Sequence, residues 1–142
     1  STLEEIKEAD LLVQVVDISD PFMEEEIKTT QAIIKELGAD QIPMVNIYNK
    51  FDLIPGPLPF LPKENEIIVS LLEESDVIET LKFMLLMVTK NWQRVKITLP
   101  YEIDFSTFSK ENYVLSYIPK EKGITYDVLL NPAFAYKYKN LN

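Results

Sequence analysis

The spacing of apolar positions changes near residue 92, and that change divides the chain into two patterns. In the first, Leu11-Leu12-Val13-Gln14-Val15-Val16-Asp17 is an almost unbroken apolar run, the signature of a strand covered on both faces, as parallel strands are. Similar runs recur over about 43–48 and 66–69. Between them the period becomes helical. Met23, Ile27, Ile34 and Leu37 share one stripe, which predicts a helix with Asp20 as N-cap, Pro21 at its first position, Glu24, Glu25 and Glu26 near the positive dipole end, and Gly38 as its stop. Asp76 and Glu79 fit a capping box for a further helix that turns Val77, Leu81, Met84, Leu85 and Val88 inward and ends near Trp92. Thr2 and Glu5 fit another box, over a short opening helix from Ser1 to Asp10 with Leu3, Ile6 and the stem of Lys7 as its thin apolar stripe. Strand and helix in alternation predict an α/β fold, a parallel sheet with helices packed on it.

From Gln93 the period shortens to two. Val95, Ile97 and Leu99 alternate with Arg94, Lys96 and Thr98, a half-buried strand ending at Pro100. A short helix over 104–110 with Phe105 and Phe108 on one side follows, then a hairpin of Tyr113–Ile118 and Ile124–Leu130 turned by Lys120-Glu121-Lys122-Gly123, with Gly123 supplying a positive φ, and a last short helix over 132–138. The expected organisation is an α/β domain over 1–92 and a small α+β domain over 93–142.

Composition narrows the chemistry. The 142 residues contain no Cys and no His, which removes thiol nucleophiles, imidazole bases, disulfides and every thiolate or imidazole metal site and leaves only oxygen-ligated hard cations. No apolar run reaches the roughly 20 residues that span a bilayer, and the acidic start is no secretory signal, so a cytoplasmic location is the expectation. The formal charge of −9 argues against general nucleic-acid binding. It is unevenly placed: residues 1–92 hold 7 basic against 18 acidic residues and residues 93–142 hold 7 against 5. Ordinary surface composition accounts for the weakly basic second part, and packing in the core and hairpin accounts better than base stacking for its aromatic content.

The residues with the most specific chemistry are Asn49-Lys50-Phe51-Asp52, an N-K-x-D loop directly after the second strand. A carboxylate at Asp52 can accept from both the ring imino N–H and the exocyclic amine of guanine, a pairing adenine does not offer. The Lys50 stem can lie along the base face, and Asn49 can tie the loop to neighbouring main chain. Ligands of open α/β sheets bind beyond the carboxyl ends of the strands, so Asp17–Asp20, Asn49–Asp52 and the segment from Ser70 onward are expected on one rim. Asp17, Asp20 and Asp52 also admit a different arrangement, an acidic magnesium pocket of phospho-receiver type.

Several ordered segments resemble HflX, a family of translational GTPases. They are Ser1-Thr2-Leu3-Glu4-Glu5-Ile6-Lys7-Glu8-Ala9-Asp10-Leu11-Leu12, Val15-Val16-Asp17-Ile18-Ser19-Asp20-Pro21, Glu36-Leu37-Gly38 and Ile47-Tyr48-Asn49-Lys50-Phe51-Asp52-Leu53. Val95-Lys96-Ile97-Thr98-Leu99-Pro100-Tyr101 and Gly123-Ile124-Thr125 are similar to the C-terminal domain of that family. The resemblance implies a P-loop-type GTPase that binds GTP or GDP with Mg2+ and associates with the large ribosomal subunit, in splitting or rescuing stalled ribosomes. Residue by residue it gives Asn49, Lys50 and Asp52 the reading of guanine, and Ser70 and Leu71 the lining of the base pocket. Leu71 stands where the family has a small residue, and Glu73-Glu74-Ser75 where it has a glycine-containing turn. The glycines are Gly38, Gly56 and Gly123, none in a G-x-x-x-x-G-K-[ST] context. The chain therefore reads as the C-terminal portion of a longer GTPase, carrying the base site without the phosphate site, inactive by itself, and able to self-associate through an exposed strand edge. The other reading is a standalone interaction module with an inert base loop.

Overall fold

The computed structural model describes residues 2–138 and divides into two compact units, Ser1–Val88 and Thr89–Asn142. The elements of the first are α1 (Thr2–Lys7), β1 (Leu12–Asp17), α2 (Met23–Glu36), β2 (Met44–Asn49), β3 (Glu66–Ile68) and α3 (Glu74–Thr89), whose last residue falls past the division. The fold is α/β: β1, β2 and β3 form a parallel sheet in that order, with Val16 opposite Tyr48 and Tyr48 opposite Ile68. Partners at the same register project to the same side, so Val16, Tyr48 and Ile18 make a buried cluster completed by Met23 and Ile27 of α2 and by Ile68.

Only β2 is covered on both faces, with Val45, Asn46, Ile47 and Tyr48 all buried. The expectation of a doubly covered β1 is wrong. Burial alternates along it, Val13 and Val15 remain 37% and 58% exposed, and among the described residues no strand pairs with its outer edge. A continuous apolar run reports strand character but not which neighbours are present.

The α2 stripe is as read, and Gly38 ends it. At φ 73 Gly38 lets its own N–H reach the Lys35 carbonyl while the Ala39 N–H reaches Ile34 at 3.0 Å, a Schellman cap. The start differs. The helix opens at Met23, and the Asp20 carboxylate accepts from the Phe22 N–H at 2.8 Å, closing a turn ahead of the helix instead of capping it.

The α3 capping box is also absent, because the helix begins at Glu74 and places Asp76 inside its first turn. Its inward residues are Asp76, Thr80, Phe83, Met84, Met87, Val88 and Thr89, whereas Val77, Leu81 and Leu85, expected inside, are exposed. A helix apolar nearly all round carries no phase that fixes its buried side. The box expected at Thr2 and Glu5 rests on a Thr2 side chain outside the described residues. Among the described residues no helix is long and apolar enough to cross a membrane.

The second unit contains β4 (Gln93–Pro100), α4 (Phe105–Glu111), β5 (Tyr113–Pro119) and β6 (Gly123–Leu130), with a closing 3-10 turn over Ala135–Tyr138. The antiparallel sheet runs β4-β6-β5, so the hairpin β5–β6 lies with β6 at the centre. Ile97, Leu99, Phe108, Tyr126, Val128 and Tyr138 form its core. Phe108 packs on both Tyr126 and Tyr138, with ring centroids 5.1 and 5.2 Å away. Asp104 caps α4 by accepting from the Ser106 N–H at 3.0 Å.

Gly123 does not supply a positive φ. It starts β6 opposite Pro100, where a Cβ would meet the Leu99 carbonyl oxygen, so close backbone approach is what requires glycine there. The aromatics divide: Phe108, Tyr126 and Tyr138 are core, while Tyr101, Phe105, Tyr113, Tyr117 and Tyr136 are at least 40% exposed.

Candidate functional site

Three parallel strands deliver their carboxyl ends to one rim, and hydrogen bonds tie the loops there together. The ladder continues past the strands: Ile18 N–H donates to Asn49 O at 2.9 Å, Val69 N–H to Tyr48 O at 2.8 Å, and Phe51 N–H to Val69 O at 3.2 Å. Lys50 then takes a left-handed backbone, φ 68 and ψ 33, and a short 3-10 turn over Phe51–Leu53 follows. That conformation costs an L-residue with a Cβ about 1–2 kcal/mol, and it lets consecutive side chains of the tetrapeptide leave in different directions.

Those directions are specific. Asn49 Oδ1 accepts from the Leu71 N–H at 2.9 Å, and Asp52 Oδ1 accepts from the Ser70 hydroxyl at 2.9 Å, both towards the β3 side. Lys50 Nζ goes the other way, to Asp17 Oδ2 at 3.0 Å beyond β1. Asp17 Oδ1 is held in turn by the Ser19 N–H at 2.9 Å and the Ser19 hydroxyl at 2.6 Å. The Ser19 hydroxyl first, and then the Lys50 ammonium, hold the Asp17 carboxyl down at about 2.

All five residues singled out from the sequence, Asn49, Lys50, Asp52, Ser70 and Leu71, therefore meet on one rim. Asp52 is exposed, and among the described residues Ser70 is its one hydrogen-bond partner, which leaves Oδ2 available. Ser70 is buried, and its N–H donates to Asp76 Oδ2 at 2.8 Å. Asp76 thus joins α3 to the rim, a role its apparent place in a capping box concealed. Asp17 was legible as a rim residue, but its partner was not, because the contact spans 33 positions in sequence.

Behind the rim a polar network braces β2. Tyr48 Oη donates to Glu66 Oε2 at 2.8 Å, and burial first, then the Glu66 carboxylate, push the phenol up to about 12.

The acidic pocket fails as a cation site. Asp17 faces Lys50, Asp20 closes its own turn and Asp52 holds Ser70, and among the described residues no cluster of three or more acidic side chains could hold a metal ion.

Sequence comparison finds relatives that share one name. The chain is 33% identical over 129 residues to a GTPase HflX of Caldanaerobacter subterraneus subsp. tengcongensis, an alignment covering 88% of this chain. It is 34% identical over 103 residues to a GTPase HflX of Spirochaeta thermophila, covering 71%, and 51% identical over 55 residues to that of Akkermansia muciniphila, covering 39%. The chain belongs to the HflX family. It spans 29%, 25% and 13% of the lengths of these three HflX proteins and matches their C-terminal part. No family model matches the chain.

Proposed function

We propose that this chain supplies the base-reading part of the guanine-nucleotide site of an HflX-like GTPase acting on the large ribosomal subunit, in splitting or rescuing stalled ribosomes in the cytoplasm. Residues 1–92 are then the second half of the GTPase domain and 93–142 the small C-terminal domain. Asn49, Lys50 and Asp52 select guanine, and Ser70 and Leu71 line its pocket.

The observation that carries this reading is the exposed Asp52 carboxylate, fixed through one oxygen by Ser70 with its second oxygen available on a rim shared by three loops. A fixed carboxylate edge is what an N–H pair of guanine needs, and fixing it beforehand reduces the ordering cost of binding. The Leu71 N–H is already engaged by Asn49, so it reaches a base carbonyl only by sharing that bond. Magnesium finds no donor set on this rim among the described residues, since Asp17 faces Lys50 and Asp52 is left as a single carboxylate.

The 142 residues by themselves are proposed to be inactive. Phosphoryl transfer depends on positioning phosphates and neutralising their charge, and base contacts amount to a few hydrogen bonds of roughly 0.5–1.5 kcal/mol each. Binding of GDP is then millimolar or weaker once entropic costs are met. A calorimetric and amide-shift titration with GDP and ADP tests this: weak binding that prefers GDP, a preference lost in Asp52→Asn, and no phosphate release from GTP are expected. A micromolar dissociation constant for GDP, or equal responses to GDP and ADP, would overturn it.

The outer edge of β1, unpaired among the described residues and with Val13 and Val15 exposed beside it, favours a second property, self-association by strand pairing. Static light scattering showing a dimer or larger species supports it, and a monomer at high concentration refutes it.

A further inference from the structure

One ion pair on the rim, Lys50 with Asp17, is separate from the Asp52–Ser70 contact. Asp17 ends β1 directly opposite Asn49 and meets Lys50 Nζ at 3.0 Å, with side chains 34% and 52% accessible respectively. Asp52, two residues beyond Lys50, turns instead to Ser70 after β3. Since β2 lies between β1 and β3, Lys50 and Asp52 are drawn apart, one to each neighbouring strand end.

We infer that Asp17 is a positioning residue for guanine, anchoring the Lys50 ammonium at the end of β1 so that the lysine stem lies along the rim as a preformed surface for one face of the base. This rests on the guanine reading above. The physical need is entropic: a lysine side chain has large rotamer freedom, and a stem ordered before binding loses less of it when the base arrives. Asp17 is itself clamped by the N–H and hydroxyl of Ser19, so the anchor does not move with the lysine. The left-handed backbone at Lys50 points the stem toward that anchor.

The test is a titration of the isotope-labelled 142-residue chain with guanosine, followed through the amide shifts of residues 49–53 and 70–71. Guanosine has no phosphate, so removing a carboxylate does not act through ligand charge. Asp17→Asn keeps a side-chain oxygen for the Ser19 turn and removes only the ionic partner. It is expected to weaken guanosine roughly two- to fivefold, the scale of a solvent-exposed ion pair. Lys50→Met should weaken binding similarly, and Asp17→Asn should add nothing in the Lys50→Met background.

A further loss in that background would mean that Asp17 acts through the fold and not through Lys50. Unchanged or tighter binding by Asp17→Asn would also overturn the inference, the tighter case marking the ion pair as a latch that withholds the lysine. Guanosine failing to move the rim amides of the unsubstituted chain would defeat the guanine reading and this inference together. Rim shifts abolished by Asp52→Asn but uncoupled between positions 17 and 50 would defeat this inference alone.

Discussion

The antiparallel unit covers its core with its own elements, while the parallel unit leaves β1 half covered. In the former, β4 alternates strictly, its inward side chains meet those of the central β6, and α4 with the last 3-10 turn brings Phe108 and Tyr138 onto the same face. In the latter, the central β2 is buried on both sides, but β1 exposes Val13 and Val15, and α3 exposes Val77, Leu81 and Leu85. A segment whose packing partners lie within a few tens of residues shows its burial in its own periodicity. One whose strands are apolar throughout shows only that something should cover them. The candidate rim belongs to the second kind of unit, where polar side chains, not a large apolar cluster, hold the loops in place.

The largest effect that would sharpen this contrast is in the antiparallel core. Phe108 is 1% exposed and touches two tyrosine rings, so Phe108→Ala is expected to destabilise that unit by about 3–5 kcal/mol. In hydrogen exchange, β4 to β6 should lose protection while β2 keeps its own. Equal loss in both units would show that they do not differ in the way described.

A smaller effect is expected on the rim. Ser70 is buried and gives its hydroxyl to Asp52, so Ser70→Ala should cost about 0.5–1.5 kcal/mol in urea denaturation and should weaken guanosine binding by loosening the carboxylate. A change in guanosine binding with no change in stability would show that the hydroxyl serves the ligand alone.

The smallest change in stability belongs to β1. Val15 is 58% exposed, so Val15→Lys should alter stability by less than about 0.5 kcal/mol while lowering the mass seen in light scattering, because a charge on an open edge opposes strand addition. A large loss of stability would mean that the Val15 side chain is covered after all.

Much of the fold was legible in local pattern. The element types and order, the change of period near residue 92, the hairpin and the short helix over 104–110 follow from apolar spacing and turn chemistry, which depend on residues close together in sequence. Helix starts were misread at Asp20 and Asp76 for a related reason: an Asp near a helix can close a preceding turn, as Asp20 does, or reach another loop, as Asp76 does through Ser70. At Gly123 glycine was legible but its cause was not, because the obstruction is the Leu99 carbonyl from another strand.

The candidate site divides along the same line. By itself the sequence determined that an N-K-x-D loop follows a buried strand and that a carboxylate, a lysine and a serine stand at strand ends, because strand polarity and motif chemistry are local properties. Tertiary structure alone decided that Lys50 meets Asp17, that Asn49 takes the Leu71 amide and that Asp52 rests on Ser70. Those contacts join positions 18 to 33 residues apart, and only the register of three parallel strands brings them within hydrogen-bonding distance.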